Sequence, residues 1–238
     1  AYLIDKNVAD LSQWQAIGIG VGSIVGGWLL YEFLCSTKLA DYGIALGLLL
    51  LGLVTLISWG LTEVFSARGA YIHIGAIIGT MMAGNVFRVI IPGQKALVEA
   101  VQKGEAPDPS WGIKAKLRST HNTYTTLPLI FIMISNHYPM TFNHAMNWAV
   151  LVAIILITAA ARQYFVLRHS GIEKPIILVG AALATLVLAV LIAPSKPVEN
   201  PAHTPSTPVN IDQVSDILIK RCATCHSATP SDDVFVIA

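Results

Sequence analysis

At 238 residues, 54% hydrophobic and only 12% charged, the chain has about half the charged fraction of an ordinary soluble domain. Its net charge of +1 gives no basic or acidic bias toward nucleic acid, and three cysteines give no disulfide framework. What remains is an all-α integral membrane protein.

The chain opens on Ala1-Tyr2-Leu3-Ile4-Asp5 with neither an initiator Met nor a signal peptide, and so reads as a fragment, cut at both ends. A bilayer core needs about 20 mostly apolar residues per helix. Stretches near that length predict a bundle of six transmembrane helices at about 15–34, 42–62, 70–91, 123–138, 143–167 and 176–193. The second, from Gly43 to Gly60, and the sixth, from Ile176 to Ala193, carry no charge. The fourth is short. It follows His121-Asn122, contains Pro128 and ends at His137-Tyr138-Pro139, so it needs a kink or a tilt to span. Residues 1–193 thus form a transmembrane domain. Residues 194–209, with Pro194, Pro197, Pro201, Pro205 and Pro208, form an extended linker. Residues 210–238 begin another domain. There Ile211, Val214, Ile217 and Leu218 recur at helical spacing.

That short helix leads into Cys222-Ala223-Thr224-Cys225-His226. Two thiols at this spacing can add to the two vinyl groups of one haem, and the adjacent histidine supplies an axial ligand to the iron. Cys222 and Cys225 are therefore the covalent attachment points of haem c, and His226 is the iron ligand. The segment is the N-terminal part of an α-helical cytochrome c domain whose second axial ligand lies outside the sequence.

Lysine and arginine set the orientation. Lys95, Lys103, Lys114, Lys116 and Arg118 lie in the connection 92–122, Arg168 and Lys174 in 168–175, and none in 138–142. The first two connections are expected on the cytoplasmic side. Alternation then puts everything after 193 outside, where bacteria attach haem c. The expected location is the bacterial inner membrane, with the cytochrome on the periplasmic face. Arg68 is the one charge against this sum.

Polar side chains inside spans are costly and by default mark function. The third span carries His73, Thr80, Asn85 and Arg88. His73 and Arg88 are fifteen residues apart, about 60° around the helix axis, and so share a face. The competing reading makes His73 an interfacial residue and lets Arg88 snorkel to the headgroups. His137 and His144 flank the turn at Pro139, at the same depth as His73. Neutral imidazole ligates b-type haem, so a second haem held by His144 is one use of these residues. A general base is another, and a wet turn without ligand a third. His121, Asn122, Tyr124 and Arg162 would suit a planar anion at the inner mouth, but an inner-leaflet anchor accounts for them better. Cys35 reads as packing.

Three stretches carry a family resemblance: Phe65 to Phe87, with Ile72-His73-Ile74-Gly75; Val89-Ile90-Ile91-Pro92-Gly93-Gln94; and Arg118-Ser119-Thr120-His121-Asn122-Thr123-Tyr124 on to Pro128. Ser135-Asn136-His137-Tyr138-Pro139 continues it. They resemble the bacterial membrane-bound urate oxidases (urate hydroxylases), whose C-terminal domain is a cytochrome c. The resemblance implies oxidation of urate to 5-hydroxyisourate in purine catabolism, with electrons passing to haem c and a respiratory acceptor. Its partners would be urate, that acceptor and membrane lipid. Two features of the family are missing from the sequence: its first helices, with a Trp-Leu-His stretch, and the distal half of the cytochrome. Oxidation of an anion needs a cation, a base and a nearby electron acceptor. Arg68, His73 and His137 would supply the first two near the outer face, and Asn85 with Arg88, or His121 with Arg162, is the deeper alternative. A rival reading is a b-haem and c-haem module that oxidises quinol without urate chemistry. A plain membrane tether for the cytochrome is a weaker one.

Overall fold

The computed structural model describes residues 8–193 and 210–218. Every regular element among them is helical. The first helix, α1 (Gln13–Ser36), starts at a capping box: the Ser12 hydroxyl accepts from Gln15 N at 3.3 Å, and Gln15 Oε1 accepts from Ser12 N at 2.9 Å. A short 3-10 turn (Lys38–Asp41) leads to α2 (Gly43–Thr62). Ser66 caps α3 (Ala67–Asn85) by accepting from Gly69 N at 3.1 Å.

Helix α3 does not stop at the membrane boundary expected near residue 91. It runs through a π-helical turn (Val86–Ile90) into α4 (Ile91–Gln102). Proline inside a helix normally clashes with the carbonyl four residues back. The wide turn immediately ahead of Pro92 relieves that clash, and the helix continues. Likewise the connection 92–122 is mostly helical. Asp108 caps α5 (Pro109–Ile134), which runs unbroken through Pro128 for 26 residues, about 39 Å at the α-helical rise. The apolar stretch 123–138 is thus the second half of a longer helix. A 3-10 turn (Ser135–His137), α6 (Pro139–Phe142), α7 (Asn147–His169) and α8 (Pro175–Leu191) follow.

Residues 1–194 form one compact unit and 195–238 a second. In the first, α3 is central and packs against α1, α2 and α5, while α7 packs against α2, α5 and α8. Tyr71, Ile74, Phe65, Leu61, Ile132 and Leu151 anchor its core. Apolar side chains also cover its outside: Leu48 of α2 is 66% exposed and Val190 of α8 is 68% exposed. Such a surface suits lipid rather than water. Among the described residues four helical spans are long and apolar enough to cross a membrane: Gln13–Ser36, Gly43–Thr62, the continuous Ala67–Gln102 and Asn147–His169. Pro175–Leu191 is apolar but shorter. In the second unit α9 (Ile211–Leu218) occupies the expected position. The linker 194–209 and the haem motif, Cys222, Cys225 and His226, lie outside the described residues.

Candidate active site

Two polar groups sit at opposite ends of α3. At its N-terminal end His73 is buried one turn after Gly69, with Nδ1 2.7 Å from the Gly69 carbonyl. A carbonyl only accepts, so Nδ1 carries a proton, and in the neutral ring Nε2 is the nitrogen with the lone pair. The ring stacks on Phe65, 4.4 Å between centroids and 8° from parallel. Gly20 of α1 closes the other side, where a Cβ would stand 2.6 Å from His73 Nε2. Only glycine leaves that nitrogen its place.

Arg68 lies over the ring of Phe142 in α6, 5.3 Å from its centroid. The Tyr71 hydroxyl points at two carbonyls, Asn147 O at 2.8 Å and Thr141 O at 3.2 Å. These contacts join the start of α3 to segment 139–147. His137, exposed, and His144, half-buried, flank α6. His144 Nδ1 accepts from Met146 N at 3.1 Å, so binding iron through Nδ1 would require giving that bond up. Arg68 and His73 therefore lie at the end of the bundle that carries the other two histidines. Asn85 does not join them. It stands twelve positions further along α3, about 18 Å at the helical rise.

Asn85 is instead the centre of a buried cluster among α1, α3 and α5. Arg118 forms a two-pronged ion pair with Glu32: Nη1 donates to Oε1 at 3.1 Å and Nη2 to Oε2 at 3.0 Å. Nη1 also donates to Asn85 Oδ1 at 3.1 Å. Asn85 Nδ2 donates to the Tyr31 hydroxyl at 3.0 Å and to Asn122 Oδ1 at 2.7 Å. Asn122 Nδ2 donates to Met82 O at 3.0 Å. The Tyr31 hydroxyl accepts from Asn85, and His121 Nδ1, 2.8 Å away, is the acceptor that the described residues offer its own proton. The Arg118 guanidinium lies 4.8 Å from the Tyr31 ring centroid. Arg118, counted in the sequence among the loop cations, is therefore buried and neutralised.

The shared face of His73 and Arg88 is real: both turn toward α1. Arg88 is exposed and lies over Trp28, 5.3 Å from the ring centroid, and Gly84 makes room for that indole. Of the group at 121–162, the structure gathers His121 and Asn122 into the Asn85 cluster. Tyr124 hydrogen-bonds Gln163 rather than Arg162. Arg162 Nε is buried without a hydrogen-bond partner among the described residues.

Beside the cluster lies a cavity of about 490 Å³, walled mainly by aliphatic side chains of α1, α2, α3, α5 and α7. Tyr31, Thr120, His121, Tyr124 and Thr125 are its polar lining residues. Among the described residues no group of three or more His, Cys, Asp or Glu is placed to hold a metal ion.

The model of the family described as urate oxidase N-terminal matches residues 1–193. The chain belongs to that family. No curated protein and no solved structure matches it. Membership of the urate oxidase N-terminal family relates the helical unit to urate and to oxidoreductase chemistry, and its apolar spans are long enough to cross a membrane. Tyr31, Glu32 and Arg118 escaped the sequence reading as site residues. One signal was present: Glu32 is the only acidic residue in the stretch 15–34, and an acid there requires a partner.

Proposed function

We propose that the chain is a membrane-bound urate oxidase that forms 5-hydroxyisourate and passes the electrons to a c-type haem on the same chain. Membership of the urate oxidase N-terminal family over residues 1–193 is the observation that carries urate. Cys222, Cys225 and His226 are the donor set that carries the haem: two thiols for its vinyl groups and an imidazole for its iron. When bound, that haem supplies a one-electron acceptor. The balance is urate plus water giving 5-hydroxyisourate, two protons and two electrons, so the haem turns over twice per urate.

The N-terminal end of α3 supports this chemistry best. His73 holds an unprotonated Nε2 in a site shaped by Phe65 and Gly20, which suits a general base. Arg68 brings the positive charge that an anion needs, and His137 offers a second proton acceptor at the neighbouring turn. In the proposed topology six helices cross the bacterial cytoplasmic membrane, with His73 near the outer face, on the side of the haem, and the lysines of α4 and α5 on the cytoplasmic side.

The test compares wild type with His73→Ala and His137→Ala in haem-loaded protein. Urate-dependent haem reduction is expected to disappear while the c-haem spectrum stays intact. Unchanged turnover in both variants would sink the assignment.

A further inference from the structure

The cavity beside the Asn85 cluster has features that urate oxidation leaves unused. At about 490 Å³ it falls in the range of small-molecule sites, roughly 300–1,000 Å³. Its room is made by glycine. Helix α2 is otherwise rich in leucine, yet Gly43 and Gly47, one turn apart, both face the cavity, and a Cβ at either would meet nothing within 4 Å. A leucine at either position would start from open space, without a clash at its Cβ, and would stand along this wall of the cavity.

The lining also defines what fits. No arginine or lysine is among the residues that line the cavity, and Arg118, beside Tyr31, is committed to Glu32 and Asn85. An anion such as urate would lose its hydration there with no cation to replace it. A neutral ring would not. The lining hydroxyls of Thr120, Tyr124 and Thr125 already donate to Lys116 O, Gln163 Oε1 and His121 O, which leaves His121 as the donor to consider. Tyr31 donates to His121 Nδ1, which fixes the neutral tautomer with its proton on Nε2. That N–H belongs to a residue lining the cavity and is left for an acceptor on a ligand. The surroundings are aliphatic helices of a membrane protein, reached from lipid more readily than from water.

We propose that this cavity is a binding site for a neutral, membrane-soluble quinone, with a ring carbonyl accepting from His121 Nε2 and the ring lying against Gly43 and Gly47. A quinone combines a flat apolar ring, carbonyl acceptors and lipid solubility, which are the three properties the lining selects.

The probe is a short-chain azido-benzoquinone photolabel on haem-loaded protein in detergent, with decyl-benzoquinone as competitor and peptide mapping as readout. Saturable labelling of the α2 or α5 peptides is expected. Gly47→Leu should weaken apparent affinity at least ten-fold, and His121→Phe should weaken it while leaving the cavity open. Gly43→Leu replaces Gly47→Leu if the latter lowers the melting temperature. Labelling that does not saturate, or that ignores all of these substitutions, overturns the proposal. So does equal displacement by decanol, which marks a pocket for lipid chains only. Labelling needs no turnover, so the result stands whether or not urate reduces the haem. In the same samples Gly47→Leu should leave urate-driven haem reduction unchanged.

Discussion

The two ends of α3 hold their polar residues in opposite ways. At the C-terminal end both amide atoms of Asn85 are bonded, and Arg118 and Glu32 neutralise each other. At the N-terminal end His73 has one nitrogen fixed by Gly69 and the other turned toward a bare glycine. A buried ion pair and amide with their bonds made give rigidity, whereas the base proposed at His73 needs a nitrogen that can take a proton. The proposal gives stability to one end and urate chemistry to the other, and each prediction below breaks one end while watching the other.

The largest effect is expected at His73. His73→Ala should cut urate-dependent haem reduction by at least about 100-fold, the lower end of what a general base contributes. Gly20→Ala should act the same way through the ring it displaces, because its methyl would stand 2.6 Å from Nε2. Thermal unfolding followed by circular dichroism should change little in His73→Ala. Next comes the ion pair. Arg118→Met leaves Glu32 unpaired and should cost about 3–5 kcal/mol of stability, read as a fall in melting temperature. The double variant Glu32→Met, Arg118→Met should recover much of it. A double variant as unstable as the single would show that the pair does not organise this end.

Asn85→Ala should cost less, about 1–3 kcal/mol, because it strands Tyr31, Asn122 and one arm of Arg118 only in part. The smallest effect belongs to Asp108, which caps α5 outside the spans. Hydrogen bonds from the Ser110 backbone and hydroxyl hold its carboxyl below the usual carboxylate range. A depressed pKa contributes stability that is fully present above the unfolded-state value and lost as pH falls through the folded one. Amide-exchange protection in the first turn of α5 should therefore drop on acidification below that range, and Asp108→Ala should abolish the pH dependence.

Apolar length alone placed the helices that have little else to say. The expected 42–62 and 176–193 correspond to Gly43–Thr62 and Pro175–Leu191. It failed where polar residues are helical. Lys114, Lys116, Arg118 and His121 read as loop, yet Asp108 and Pro109 start a helix that carries all four. Pro92 read as a stop, but the π-helical turn before it lets the chain continue. His73 was legible because a histidine among apolar residues stands out. The Glu32–Arg118 pair was not, since its members are 86 positions apart and one of them resembled a loop cation. In the sequence Gly20 and Gly47 look alike, and only packing distinguishes Gly20, pressed against His73, from Gly47, which faces open space.

The central claim is that urate is the electron source for the haem bound at Cys222 and Cys225. Anaerobic addition of urate to purified, haem-loaded protein, with the α band of the c-type haem recorded, tests it most directly. The account predicts that the band of the reduced haem appears on addition of urate and 5-hydroxyisourate accumulates. A fully loaded haem that stays oxidised in urate would contradict it.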